Sequence, residues 1–102
     1  MEIVREVYGI TNELPKDEKY GLTSQIRRCA VSMPSNIAEG CGRGTDKEFN
    51  RYLDIALGSS YELETQLLLL DIFSEITFDE VEKLIENLNQ LQRSIIALKK
   101  KL

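Results

Sequence analysis

The chain has 102 residues and a net charge of −4, with 42% apolar and 29% charged side chains, six glycines, two prolines and two cysteines. That length supports one hydrophobic core and one domain, residues 1–102, and the composition excludes a disordered or low-complexity chain. Histidine is absent, which removes imidazole metal ligands, the Glu-x-x-His pairs of di-iron bundles and Ser-His or Cys-His nucleophile pairs, so neither an enzyme nor a cofactor is expected.

Helical spacing runs through the whole chain, and no window of two-residue alternation is long enough for a strand. Ile3, Val7, Ile10 and Leu14 predict a first helix over residues 1–13, closed by Pro15, which disfavours helical geometry at Leu14. After the turn Pro15 to Gly21, the residues Leu22, Ile26, Cys29, Met33 and Ile37 share one face of a second helix. Pro34 lies inside it and cannot donate to the carbonyl of Ala30, so a kink is expected in preference to a break capped by Ser35 or Asn36. Gly40, Gly42 and Gly44 end it.

Thr45-Asp46-Lys47-Glu48 reads as a capping box opening a third helix, whose seam is Phe49, Leu53, Ala56, Ser60, Leu63, Leu67 and Leu70. Thr77-Phe78-Asp79-Glu80 repeats the box after Ser74-Glu75-Ile76, and Val81, Leu84, Leu88, Leu91, Ile95, Leu98 and Leu102 form a fourth stripe. Short connections make successive helices antiparallel, which gives an all-α, up-and-down four-helix bundle with its second helix kinked at Pro34.

The third helix carries more apolar residues than a bundle seam needs. Leu57, Tyr61, Leu68 and Ile72, with Leu69 and Phe73, make a second face, covered either by wide wrapping of the neighbouring helices or by self-association. Gly58-Ser59-Ser60 suits a close helix crossing, and Gly58 costs about 1 kcal/mol against alanine, which argues for such a contact.

Charge is uneven: residues 45–76 hold two basic and seven acidic side chains, whereas the segments on either side are close to balanced. The basic excess of a nucleic-acid binder is missing. The candidate phosphate contacts are Arg27, Arg28, Arg43, Lys47 and Arg51 near the junction of the second and third helices, with Lys99, Lys100 and Lys101 read as a solvated tail. The carboxylates Glu48, Asp54, Glu62 and Glu64 read as a solvated face, and the glycines Gly40, Gly42 and Gly44 lack the strand and the Lys-Ser or Lys-Thr ending of a phosphate loop. No apolar run reaches the roughly 20 residues of a membrane span, and Met1 to Arg5 do not open a secretion signal, so a cytoplasmic location is expected. Cys29 and Cys41 are then thiols that serve as small packing residues.

The stretch Tyr20 to Leu70, and within it Ser35-Asn36-Ile37-Ala38-Glu39-Gly40-Cys41-Gly42-Arg43, resembles the four-helix-bundle proteins encoded by intervening sequences of large-subunit rRNA genes. Within that string Asn36, Glu39 and Arg43 share a helical face, with Glu39 four residues ahead of Arg43 in the favourable order for an ion pair; the cluster either fixes the helix end or contacts another subunit. The resemblance implies a homo-oligomeric ring, a pentamer in the form carried over, and an RNA or ribosomal partner. It also implies a longer lead-in ahead of the first helix. Some relatives are basic barrels that bind nucleic acid as accessory proteins of diversity-generating reverse transcriptases; this chain departs from them in charge, and a pentamer of it would carry −20. The alternative is a protein-binding adaptor for a nucleic-acid enzyme, working through the acidic side of the third helix.

Overall fold

The computed structural model describes residues 2–14, 21–73 and 78–102, and side chains outside 71–73 and 78. Four helices follow in order: α1 Glu2–Thr11, α2 Leu22–Cys41, α3 Asp46–Phe73 and α4 Phe78–Lys99. α1 and α3 each pack on both α2 and α4, and among the described residues neither diagonal pair meets, which is the square arrangement of an up-and-down bundle. The long axis of 44 Å is close to the length of α3, since 28 residues rise about 42 Å. The Pro15 to Tyr20 part of the first turn, the Ser74-Glu75-Ile76 break, Thr77 of the second capping box and the side chains of Ile72 and Phe73 lie outside the described residues.

The stripes read from spacing form the core. Ile3, Val7, Ile10 and Leu14 pack with Ile26, Cys29, Ala30, Met33, Leu63, Leu67, Leu70, Val81, Leu84 and Leu88 in one cluster. A smaller cluster of Leu53, Ala56 and Ile95 lies at the other end, flanked by Ile37, Phe49, Leu57 and Leu91. The division follows from helix length: α1 has 10 residues against 22 in α4, so it covers only part of its neighbour. The expected core positions Leu98 and Leu102 are consequently exposed, because the α4 stripe continues past the helix that would cover it.

α2 runs unbroken from Leu22 to Cys41 with Pro34 inside it, and no new helix starts at Ser35 or Asn36. It ends as Gly42 donates to the carbonyls of Ala38 and Glu39, and the chain turns at Gly44, whose φ of 85° is the one left-handed position among the described residues. The Thr45 hydroxyl then accepts from the Glu48 amide at 3.2 Å, while the Glu48 carboxylate accepts from Arg51 at 3.2 Å.

α2 and α3 approach closely because small groups meet along their contact. A Cβ on Gly40 would lie 2.7 Å from Tyr52 Cβ and 3.0 Å from Phe49 Cδ1. Farther along, the hydroxyls of Ser32 and Ser59 are 2.9 Å apart, and Asn36 Nδ2 donates to the Ser32 hydroxyl at 3.0 Å and to the Ser32 carbonyl at 2.8 Å. Ser60 is fully buried and donates to the Leu57 carbonyl. Gly58 is different: it is exposed, and a Cβ there would meet nothing within 4 Å, so no contact among the described residues explains it.

Gly40→Ala should therefore force the two helices apart or displace Tyr52, at a cost of about 1–3 kcal/mol. Thermal unfolding should show a Tm lower by at least about 4 °C, and an unchanged Tm would contradict the packing.

Candidate nucleic-acid interface

The five basic residues singled out by sequence do not form one patch. Arg27 and Arg28 lie in the first half of α2, whereas Arg43, Lys47 and Arg51 gather at the corner where α2 gives way to α3. Sixteen residues separate Arg27 from Arg43, or about 24 Å along a helix.

At the corner, Arg43 Nη2 donates to Glu39 Oε1 and to the Tyr52 hydroxyl, both at 2.7 Å, and its guanidinium lies 5.1 Å from the centre of the Tyr52 ring. Tyr52 and Glu39 hold this half-exposed guanidinium still more firmly protonated than usual. Arg51 stacks on the same ring at 5.4 Å while paired with Glu48. Asp46 and Glu48 also occupy the first turn of α3, so the three cations here face three carboxylates, Glu39, Asp46 and Glu48. Asn36 is bonded to Ser32, one step away from the Glu39–Arg43 pair, and Ser35 is exposed. Gly40 provides the close approach, and Glu39, Arg43 and Tyr52 latch it from outside.

The other cluster is chemically distinct. Arg27 Nε donates to the Thr11 hydroxyl and Nη2 to Asn12 Oδ1, both at 2.8 Å, and the guanidinium stacks 4.5 Å from the centre of the Tyr8 ring. This fixes α1 to α2. Arg28 beside it is exposed. Together with Tyr8, Thr23, Ser24, Val31 and Ser32 they line a shallow groove of about 660 Å³ that contains no carboxylate among the described residues.

The acidic side chains of α3 are mostly engaged within the chain. Glu48 pairs with Arg51 and Asp54 with Lys99, and Glu64 Oε1 accepts from Asn89 and Gln92, each at 3.0 Å. Glu62 faces the buried Cys29, whose thiol is pushed up from 9.0 to about 11 by burial first and Glu62 second. Cys41 is exposed. No group of His, Cys, Asp and Glu among the described residues could hold a metal ion, and no described helix is long and apolar enough to cross a membrane. The outside of α3 leaves Ile55, Tyr61, Leu68 and Leu69 each 38–50% exposed. Tyr8, Tyr52 and Thr23, which shape the two clusters, were not legible as site residues. Nothing in helical spacing pairs Tyr52 with an arginine beyond a glycine turn.

Fold and surface together define a small antiparallel four-helix bundle that presents arginine–tyrosine clusters and an apolar α3 face on its outside. The profile of the 23S rRNA-intervening sequence proteins matches residues 1–97, and the chain belongs to that family. It is similar to the crystal structure of a protein of unknown function from the S23 ribosomal protein family of Bacteroides thetaiotaomicron VPI-5482, with a TM-score of 0.82 and 26% identity over 97% of this chain and 89% of that one. No curated protein matches the sequence.

Arg27→Ala should act as a stability mutation. It removes two hydrogen bonds and a ring contact, at a cost of about 1–3 kcal/mol, and the Tm should fall by about 4–8 °C for each kcal/mol lost. Cys29 gives a pH dependence of known sign. Its folded-state pKa is raised, so its contribution is fully present below pH 9, is lost as pH rises toward about 11, and then levels off. Denaturation midpoints should accordingly fall less over that interval in Cys29→Ala than in the parent. A thiol reagent at neutral pH should label Cys41 quickly and Cys29 only on unfolding.

Proposed function

We propose that the chain is a non-catalytic protein of the cytoplasm that works by contact, assembling with copies of itself, as a pentamer, and engaging RNA or a ribosomal component. The observation that carries self-assembly is the outer face of α3, where Ile55, Tyr61, Leu68 and Leu69 are exposed around Gly58. Large apolar side chains clustered on one helix of a small bundle mark an interaction surface. A glycine in mid-helix with open space above it adds to this, since it costs about 1 kcal/mol against alanine and serves no contact among the described residues. The RNA or ribosomal partner is supported by membership of the rRNA intervening-sequence family and by arginines stacked on tyrosines. Against it stands the net charge of −4, which limits any phosphate contact to a local cationic surface.

Light scattering coupled to size exclusion should give a mass five times that of the 11.7 kDa chain. The double variant Tyr61→Asp, Leu68→Asp should give a monomer with the helical content of the parent, because both residues lie outside the core. A parent protein that is monomeric at every concentration removes self-assembly. Fluorescence anisotropy of a labelled structured RNA should show saturable binding that weakens with salt, and a flat response at low and near-physiological salt removes direct RNA contact.

A further inference from the structure

We infer that the groove over the N-terminal half of α2 is a phosphate-binding site, formed by Arg27, Arg28, Thr23 and Ser24 at the positive end of the helix. It deepens the RNA reading by naming a place and a chemistry, yet it stands on observations of its own. The groove has two guanidinium groups and four hydroxyls in its lining, those of Tyr8, Thr23, Ser24 and Ser32, and no carboxylate among the described residues, in a chain that is acidic overall. Thr23 and Ser24 belong to the first turn of α2, where backbone N–H groups lack helical partners and the helix dipole is positive. The first turn has no acidic residue, and the residue before it, Gly21, has no side chain with which to cap those amides. The corner at Arg43 and Arg51 contrasts on each count, since its helix opens with Thr45 as cap and with Asp46 and Glu48 in the first turn.

The independent observation is Thr23. It is 3% exposed, and its hydroxyl has no hydrogen-bond partner among the described residues. Leaving a buried hydroxyl unsatisfied is unfavourable, and such a group at the wall of a cationic groove points to a partner supplied by what binds there. Arg27 is already held by Thr11, Asn12 and Tyr8, so its remaining N–H groups are offered at little cost in conformational freedom. Arg28 is exposed and forms no ion pair among the described residues. Two guanidiniums, two hydroxyls and free helix amides suit the tetrahedral oxygens of a phosphate, the group that RNA backbones and small phosphorylated molecules share.

The test uses the whole chain, with inorganic phosphate and a single-stranded RNA twelve-mer as separate probes followed by amide and arginine side-chain NMR. Phosphate should shift the Thr23 and Ser24 amides and the Arg28 side chain saturably, while chloride at equal ionic strength should not. Arg28→Gln should weaken phosphate binding at least about tenfold. Thr23→Val should also weaken it while leaving the Tm equal or higher, because it removes an oxygen that has no partner among the described residues of the free protein. If the twelve-mer perturbs the same groups and displaces phosphate, the ligand is an RNA backbone. If phosphate binds and RNA does not, the site takes small phosphorylated molecules and the RNA reading falls while the site stands. RNA binding that leaves Thr23, Ser24 and Arg28 unperturbed, or phosphate shifts that never saturate, would overturn the site.

Discussion

The contact between α2 and α3 is the constraint on which the rest of the molecule depends. At Gly40 the α2 backbone comes so near to Tyr52 and Phe49 that even a methyl group has no room, and farther along two serine hydroxyls touch across the seam. Close approach lets the residues around it interlock: Met33 and Ile26 on one helix, Leu63 and Leu67 on the other, all fully buried. It also lets α2 continue through Pro34. The missing hydrogen bond at Ala30 costs about 3 kcal/mol in an unsupported helix, and packing of the whole α2 face against α3 offsets it. The other pairings of the bundle add polar ties around the shared apolar core, with Arg27 joining α1 to α2, Asn87 of α4 donating to Glu6 of α1, and Glu64, Asn89 and Gln92 bridging α3 to α4.

How much of this could be read from the sequence depends on which physical quantity set each feature. Periodicity did well because burial enforces it: Leu53, Leu63 and Leu67, or Val81, Leu84 and Leu88, can face only one way once their helices pair. The Thr45 cap was legible because it is made within four residues. Leu98 and Leu102 continue the same pattern but stay exposed, because periodicity reports a face and is silent on whether a neighbour is long enough to cover it. Glycine is ambiguous in the same way. Gly40 and Gly58 both lie within helices, yet only Gly40 has atoms waiting where its side chain would be. Sequence assigned the close crossing to the Gly58 segment; its neighbours Ser59 and Ser60 are at the crossing or buried, and Gly58 itself points to open space.

The site was less legible because it depends on which side chains meet across elements. Five basic residues in a span of 25 suggested one patch, but α2 carries Arg27 and Arg28 well away from Arg43 and Arg51. The two groups then meet different partners. Glu39 and Glu48 pair with the corner cations, while Arg27 is pinned by uncharged groups from α1. No rule of spacing would bring Tyr8 to Arg27 or Tyr52 to Arg43, since each pair is joined across a turn and settled by tertiary packing.

Net charge is a poor guide to what such a surface can hold. At physiological salt the screening length is about 8 Å, shorter than the roughly 24 Å between the two arginine clusters. An anion in the α2 groove would therefore respond chiefly to Arg27, Arg28, the helix end and Glu62, which lines the adjoining hollow with Arg28 and Ser32, and only weakly to the carboxylates farther off. Those carboxylates matter at longer range: they slow the approach of a polyanion and do little to loosen it once bound. An acidic bundle with a cationic groove that no described carboxylate lines would thus reject most of a nucleic acid's length and tolerate contact at a single phosphate, which favours a loop, a chain end or a small phosphorylated molecule over an extended duplex.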